Sequence, residues 1–113
     1  MHIMVQEISP KDTLSLLQEN NAILIDVREQ EEWDQERIAS AQHYPLSTFT
    51  EHIRDIQIPN GYAVVFHCLV GGRSKKAAQL FSMYGNTKNH TLYNMTGGIN
   101  QWKADQLPDY QGS

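Results

Sequence analysis

The 113-residue chain predicts one α/β domain built around an open parallel sheet. Three observations carry that expectation. Two apolar runs, Ala22-Ile23-Leu24-Ile25-Asp26-Val27 and Tyr62 to His67, lack the alternation of a half-solvated strand. Each therefore reads as a strand covered on both faces. Helical stretches separate the strands, as crossovers between parallel strands require. A chain of this length buries roughly two-thirds of its surface on folding, enough for one core and hardly two.

The elements follow in order. Ser9-Pro10-Lys11-Asp12 is a helix start: Ser9 caps, Pro10 suits the first helical position, and Asp12 complements the dipole. The helix carries Leu14, Leu16 and Leu17 inward and ends near Asn20-Asn21; Ala22 to Val27 is the first strand. From Glu29 to Arg37 the chain is polar around Trp33, which predicts a short helix. His43-Tyr44-Pro45 reads as extended, because the residue before proline is pushed out of the helical region. Ser47 to Asp55 is expected as another short capped helix, and Pro59-Asn60-Gly61 as a turn into the second strand. Cys68 ends that strand. Leu69-Val70-Gly71-Gly72 then leads to a helix from about Arg73 to Tyr84, with Ala77, Ala78, Leu80 and Phe81 on its apolar side and Gly85 in the usual terminal position. Thr91 to Asn94 is the third strand, and Gly97-Gly98 opens a last helix around Ile99 to Lys103. Trp33, Trp102 and the leucine stripes read as core. No repeat or linker interrupts the chain, so residues 1–113 are expected to form a single domain.

Composition narrows the function. Thirteen acids against nine bases give a net charge of −4, with no basic stripe for a nucleic-acid backbone. The apolar runs are too short to span a bilayer, and the first ten residues lack the basic head and apolar stretch of a leader. A cytoplasmic protein without membrane contact is expected. With one cysteine there is no internal disulfide and no thiolate zinc site. The histidines His2, His43, His52, His67 and His90 include no i,i+4 pair, so neither a metal nor a cofactor is expected.

In open α/β sheets, binding occurs beyond the carboxyl ends of the strands. The segment from Cys68 through Leu69, Val70, Gly71, Gly72, Arg73 and Ser74 meets that description. Two glycines let the loop curl so that successive N–H groups point to one centre. The helix N-terminus adds about half a positive charge, and Arg73 a full one. Such surroundings favour a thiolate at Cys68 and suit a small anion. Taken alone, a strand-end cysteine is often just a small buried hydrophobe; the neighbouring Gly-Gly-Arg-Ser favours reactivity. His67 adjoins Cys68, but strand neighbours point to opposite faces, so it reads as a strand-end histidine with its own partners. Asp26 and Arg28 end the first strand on the same rim as Cys68 and read as supporting residues. Arg28 and Glu32, four apart, are spaced to pair across a helical turn. Lys75-Lys76 reads as a solvated face that adds local positive charge.

Four segments together resemble the rhodanese (sulfurtransferase) family, specifically its single-domain members. They are Ile25-Asp26-Val27-Arg28 with Glu32 and Trp33; Ile38-Ala39-Ser40-Ala41 to Tyr44-Pro45; His67-Cys68 through Arg73-Ser74; and Met95-Thr96-Gly97-Gly98-Ile99 with Trp102. The resemblance covers about residues 8–102 and implies a rhodanese-like open parallel sheet with helices on both faces. It gives Cys68 the role of nucleophile, taking a sulfane sulfur from thiosulfate or another persulfide donor and passing it to cyanide, a thiol or a partner protein. Backbone N–H groups from Leu69 to Ser74 would hold the outer sulfur. Four residues separate Cys68 from Arg73, the short loop of sulfurtransferases; related phosphatases have five, a wider cradle that fits phosphate. A phosphatase or arsenate reductase on the related fold, and a non-catalytic persulfide-carrier or binding module, are the alternative readings.

Departures from the family pattern bear on function. Glu36-Arg37-Ile38 stands where Gly-His-Ile is frequent, and Ser40 where glycine is frequent, which predicts a different local turn. Leu69 and Val70 put apolar side chains where efficient thiosulfate users often place charge. An organic persulfide or protein donor is therefore expected to be preferred over thiosulfate.

Overall fold

The computed structural model describes residues 4–112. His2 lies outside them. A five-stranded sheet, in the order β1-β6-β5-β2-β4, forms the centre. Its strands are β1 (Val5–Ile8), β2 (Ala22–Asp26), β4 (Gln42–His43), β5 (Ala63–His67) and β6 (Leu92–Met95), and every pairing between them is parallel. Because β2 and β5 are central, all ten of their residues are buried, which is why neither run alternates. Helices α1 (Pro10–Gln18) and α5 (Gly98–Ala104) cover one face, where Ile99 and Trp102 meet Leu24 and Val65. Helices α3 (Phe49–His52) and α4 (Gly72–Tyr84) cover the other, where Phe49, Phe66 and Phe81 pack together.

Local chemistry sets several boundaries as expected. The Ser9 hydroxyl accepts the Asp12 N–H at 3.0 Å and caps α1. Gly61 takes a left-handed φ of 81° in the turn before β5. Other boundaries differ. The polar stretch after Glu29 is helical only over α2 (Gln30–Gln35). The chain then extends as β3 (Glu36–Ile38) because it pairs antiparallel with β7 (Tyr110–Gly112), far away in sequence. The segment expected as one capped helix from Ser47 to Asp55 is 3₁₀ at Leu46–Thr48, helical at α3 and 3₁₀ again at Ile53–Asp55, without a side-chain cap. Ser47 instead donates to Glu29.

Gly85 does close α4, but at a φ of −91°, not in a left-handed turn. Its lack of a side chain serves packing: a Cβ there would lie 2.6 Å from the Phe81 ring. Ser40 is not among the described residues of positive φ, so its turn takes serine without strain. Trp102 is fully buried. Trp33 is only partly buried, stacked on His43 at 4.6 Å with the Arg37 guanidinium over its ring. Leu14, Leu16 and Leu17 are likewise partly buried against the core.

Candidate active site

Cys68 follows β5 directly and is 1% exposed, because the next residues wrap around its sulfur. Gly71 makes the wrap, with a φ of 120° that an L side chain rarely adopts. Gly72 has no such need: its φ is not positive and a Cβ there meets open space. The Gly71 N–H donates to Cys68 Sγ at 3.1 Å, and the Ser74 hydroxyl lies 3.3 Å from the same atom. Burial pushes the thiol pKa up. The Ser74 hydroxyl and the N–H groups of Ser74, Gly71 and Val70 outweigh burial, and the thiol lies below its ordinary value. These donors favour the thiolate because each satisfies the charged form of sulfur.

The loop is braced from three sides. Gly98, at a φ of 57°, approaches so closely that a Cβ would fall 2.4 Å from both the Cys68 and Leu69 carbonyl oxygens. That closeness lets the N–H groups of Ile99 and Asn100 donate to those carbonyls at 2.9 and 3.2 Å. On another side, Glu32 receives both terminal nitrogens of Arg73, at 2.6 and 2.9 Å. The Arg73 guanidinium holds the Glu32 carboxyl down to about 2, and Glu32 in turn raises the Arg73 pKa. Glu32 also accepts the Glu29 N–H at 3.1 Å, tying the first turn of α2 to the loop. From the third side, Asn94 in β6 donates to the Gly71 carbonyl at 3.1 Å and accepts from Ser74 at 2.5 Å.

The expected pairing of Arg28 with Glu32 does not form. Arg28 is buried at 1% exposure and turns back on Asp26, donating through Nε and a terminal nitrogen at 2.8 to 3.1 Å, and to the Glu36 carbonyl at 2.7 Å. Asp26 and His67 continue the β2 and β5 positions that face Leu24 and Val65, whereas Cys68 packs with Val27 and Phe66 on the opposite face. Asp26 and Arg28 thus stand at the rim but lie across the sheet from the sulfur. His67 is equally enclosed: Nδ1 contacts the Cys68 carbonyl at 3.2 Å, and Nε2 lies 3.4 Å from Asp26 without a hydrogen bond. Burial holds its pKa below the usual imidazole value.

Glu32 binds both terminal nitrogens of Arg73, so the guanidinium is shared with it while still acting on Cys68. Leu69 is partly buried against the core cluster that contains Trp102 and Ile99, leaving Val70, 63% exposed, as the apolar side chain at the mouth. Sequence reasoning missed Glu7 and Asn94. The available signal was a carboxamide inside the otherwise apolar Leu92-Tyr93-Asn94-Met95 strand. Lys75 and Lys76 are exposed on α4. Among the described residues, no group of three or more His, Cys, Asp or Glu is placed to hold a metal, and no helix is long and apolar enough to cross a membrane.

Comparison with known proteins agrees with this fold. The model of the rhodanese-like domain family matches residues 9–105. The thiosulfate sulfurtransferase GlpE of Coxiella burnetii is 28% identical over 104 residues, covering 90% of this chain and 91% of that protein. A human single-domain sulfurtransferase structure superposes with a TM-score of 0.73 at 25% identity, covering 89% of this chain and 97% of the other. A rhodanese-related protein of Thermoplasma volcanium shares the fold, with a TM-score of 0.75 at 24% identity over 91% of this chain and 95% of that one.

Proposed function

Because the chain belongs to the rhodanese-like domain family, we propose that it is a sulfurtransferase working through a persulfide on Cys68. The observation that carries the reading is the ring of donors around Cys68 Sγ, with the Gly71 N–H at 3.1 Å and the Ser74 hydroxyl at 3.3 Å. Thiolate attack on the outer sulfur of thiosulfate forms the new S–S bond. The old S–S bond breaks, and its electron pair leaves on sulfite. The product, a Cys68 persulfide anion, conserves the charge. Cyanide, a thiol or a partner protein then attacks the outer sulfur, and the electron pair returns to Cys68. No second cysteine exists to resolve the persulfide internally, so the sulfur passes outward.

Leu69, Val70, Gly71, Gly72, Arg73 and Ser74 form the substrate cradle in this reading, through their backbone more than their side chains. With Arg73 shared with Glu32 and Val70 exposed at the mouth, an organic persulfide, whose reacting group carries at most one charge, fits better than thiosulfate, which reacts as a dianion. Asp26 and Arg28 support the rim from the far face. The test is turnover to thiocyanate with cyanide as acceptor, comparing thiosulfate with glutathione persulfide as donors. Turnover with the persulfide above that with thiosulfate is expected; a clear preference for thiosulfate overturns the donor assignment. Turnover that survives Cys68→Ser overturns the function itself, because no other thiol is present.

A further inference from the structure

The Ser74 hydroxyl carries one proton and faces three acceptors: Cys68 Sγ at 3.3 Å, the Gly71 carbonyl at 3.2 Å and Asn94 Oδ1 at 2.5 Å. It can serve only one well at a time. The Asn94 oxygen is the nearest, and what turns that oxygen toward Ser74 is readable from the other end of the carboxamide. Asn94 Nδ2 lies 3.1 and 3.3 Å from the two Glu7 carboxylate oxygens and 3.1 Å from the Gly71 carbonyl. Both are acceptors only. A reversed carboxamide would set its oxygen against them, so the network fixes one orientation. Glu7 is held in turn by the Thr96 hydroxyl, which donates to it at 2.7 Å. Asn94 is 3% exposed and Ser74 fully buried, so water does not substitute for these partners.

We infer that Asn94, oriented by Glu7, is a positioning residue that competes with the sulfur of Cys68 for the single Ser74 proton. The inference rests on Cys68 being the nucleophile. When the sulfur is a thiolate, its charge draws the hydroxyl over. When Cys68 is a neutral thiol, or the inner atom of a persulfide, the proton returns to Asn94. Ser74 therefore acts as a two-position donor whose second position is set by Asn94. The consequence is a thiolate held less firmly than a dedicated donor would hold it. A less stabilised thiolate keeps more nucleophilicity, which suits a group that must both take up and release sulfur.

The competition has a signature that a merely structural role lacks. Removing Ser74 takes a donor from the thiolate, so Ser74→Ala raises the Cys68 pKa. Removing Asn94 frees that donor for the sulfur, so Asn94→Leu lowers it. In the double variant only the Ser74 effect remains. Glu7→Gln removes the negative charge but keeps an acceptor oxygen; Glu7→Leu removes both and releases the carboxamide, so it lowers the thiol pKa further than Glu7→Gln does. Arg73, whose own pKa responds to Cys68, is intact in every variant, and Glu7 is the charge that the Glu7 variants remove.

The experiment is the pH dependence of Cys68 alkylation by iodoacetamide, with near-ultraviolet circular dichroism as the check on folding. Asn94→Ala replaces Asn94→Leu should leucine not be accommodated. No sulfur donor is present, so the outcome is independent of the sulfurtransferase reading. Opposite shifts in the two single variants, with the double variant matching Ser74→Ala, are expected. An Asn94 variant that raises the thiol pKa or leaves it unchanged overturns the inference. So does an Asn94 effect that persists without Ser74. A thiol pKa no lower in Glu7→Leu than in Glu7→Gln removes Glu7 from the account.

Discussion

Strands β2 and β5 lie side by side and end at the same rim, yet their ends do opposite things. At the end of β2, Asp26 and Arg28 sink a carboxylate and a guanidinium into the protein and spend them on one another and on the Glu36 carbonyl. At the other, one residue further and across the sheet, a backbone loop gathers N–H groups around a single sulfur. Charge closed on itself makes scaffold; donors that converge on one polarisable atom favour its thiolate. The contrast explains why Arg28, the more conspicuous charge in the sequence, sits away from the sulfur while uncharged Gly71 and Ser74 touch it.

The sharpest way to break that contrast is on the closed side. Asp26→Asn leaves the Arg28 cation buried without its carboxylate and is expected to cost about 3–5 kcal/mol of stability, read by urea denaturation. A loss below about 1 kcal/mol would mean that the pair is not closed. On the open side, Gly98→Ala forces a Cβ against the Cys68 and Leu69 carbonyls at a left-handed φ. We expect a loss of about 2 kcal/mol together with slowed alkylation of Cys68, because the loop must move. Unchanged alkylation would show that the loop does not depend on this approach.

The link between the halves of the site titrates. Arg73 holds the Glu32 carboxyl down to about 2 from an ordinary value of 4.5. A depressed carboxylate contributes stability above its unfolded value and loses that contribution as pH falls toward the folded one. Wild type should therefore melt above Glu32→Gln near neutral pH, with the gap closing between pH 4.5 and about 2. A gap that stays constant across that window contradicts the assignment. The smallest effect is expected at Gly72, where a Cβ meets open space: Gly72→Ala should stay within about 0.5 kcal/mol of wild type by thermal melting and keep its alkylation rate.

The same contrast governs what could be read from the sequence. The buried strands announce themselves because burial on both faces leaves an unbroken apolar run, and the cysteine loop because Gly71 and the strand-to-helix junction are local. Strand β1 does not announce itself: Val5-Gln6-Glu7-Ile8 sits at the sheet edge, and its pairing with β6 comes from residues nearly ninety positions away. Likewise β3 looked like the end of a helix until β7 paired with it. Charge partners were not legible even where they are local: spacing points Arg28 to Glu32, yet Arg28 turns back on Asp26 two residues earlier and Glu32 meets Arg73 forty-one residues on. Gly98 and Asn94 act on Cys68 by proximity in space, which spacing along the chain does not encode.

The central claim is that Cys68 carries the transferred sulfur, and intact mass tests it most directly. The purified protein is weighed alone, after glutathione persulfide or thiosulfate, and again after cyanide, beside Cys68→Ser. The account predicts a gain of one sulfur atom in wild type, its removal by cyanide with thiocyanate released, and no gain in the variant. An unchanged mass with both donors, or a cyanide-labile gain in Cys68→Ser, would contradict it.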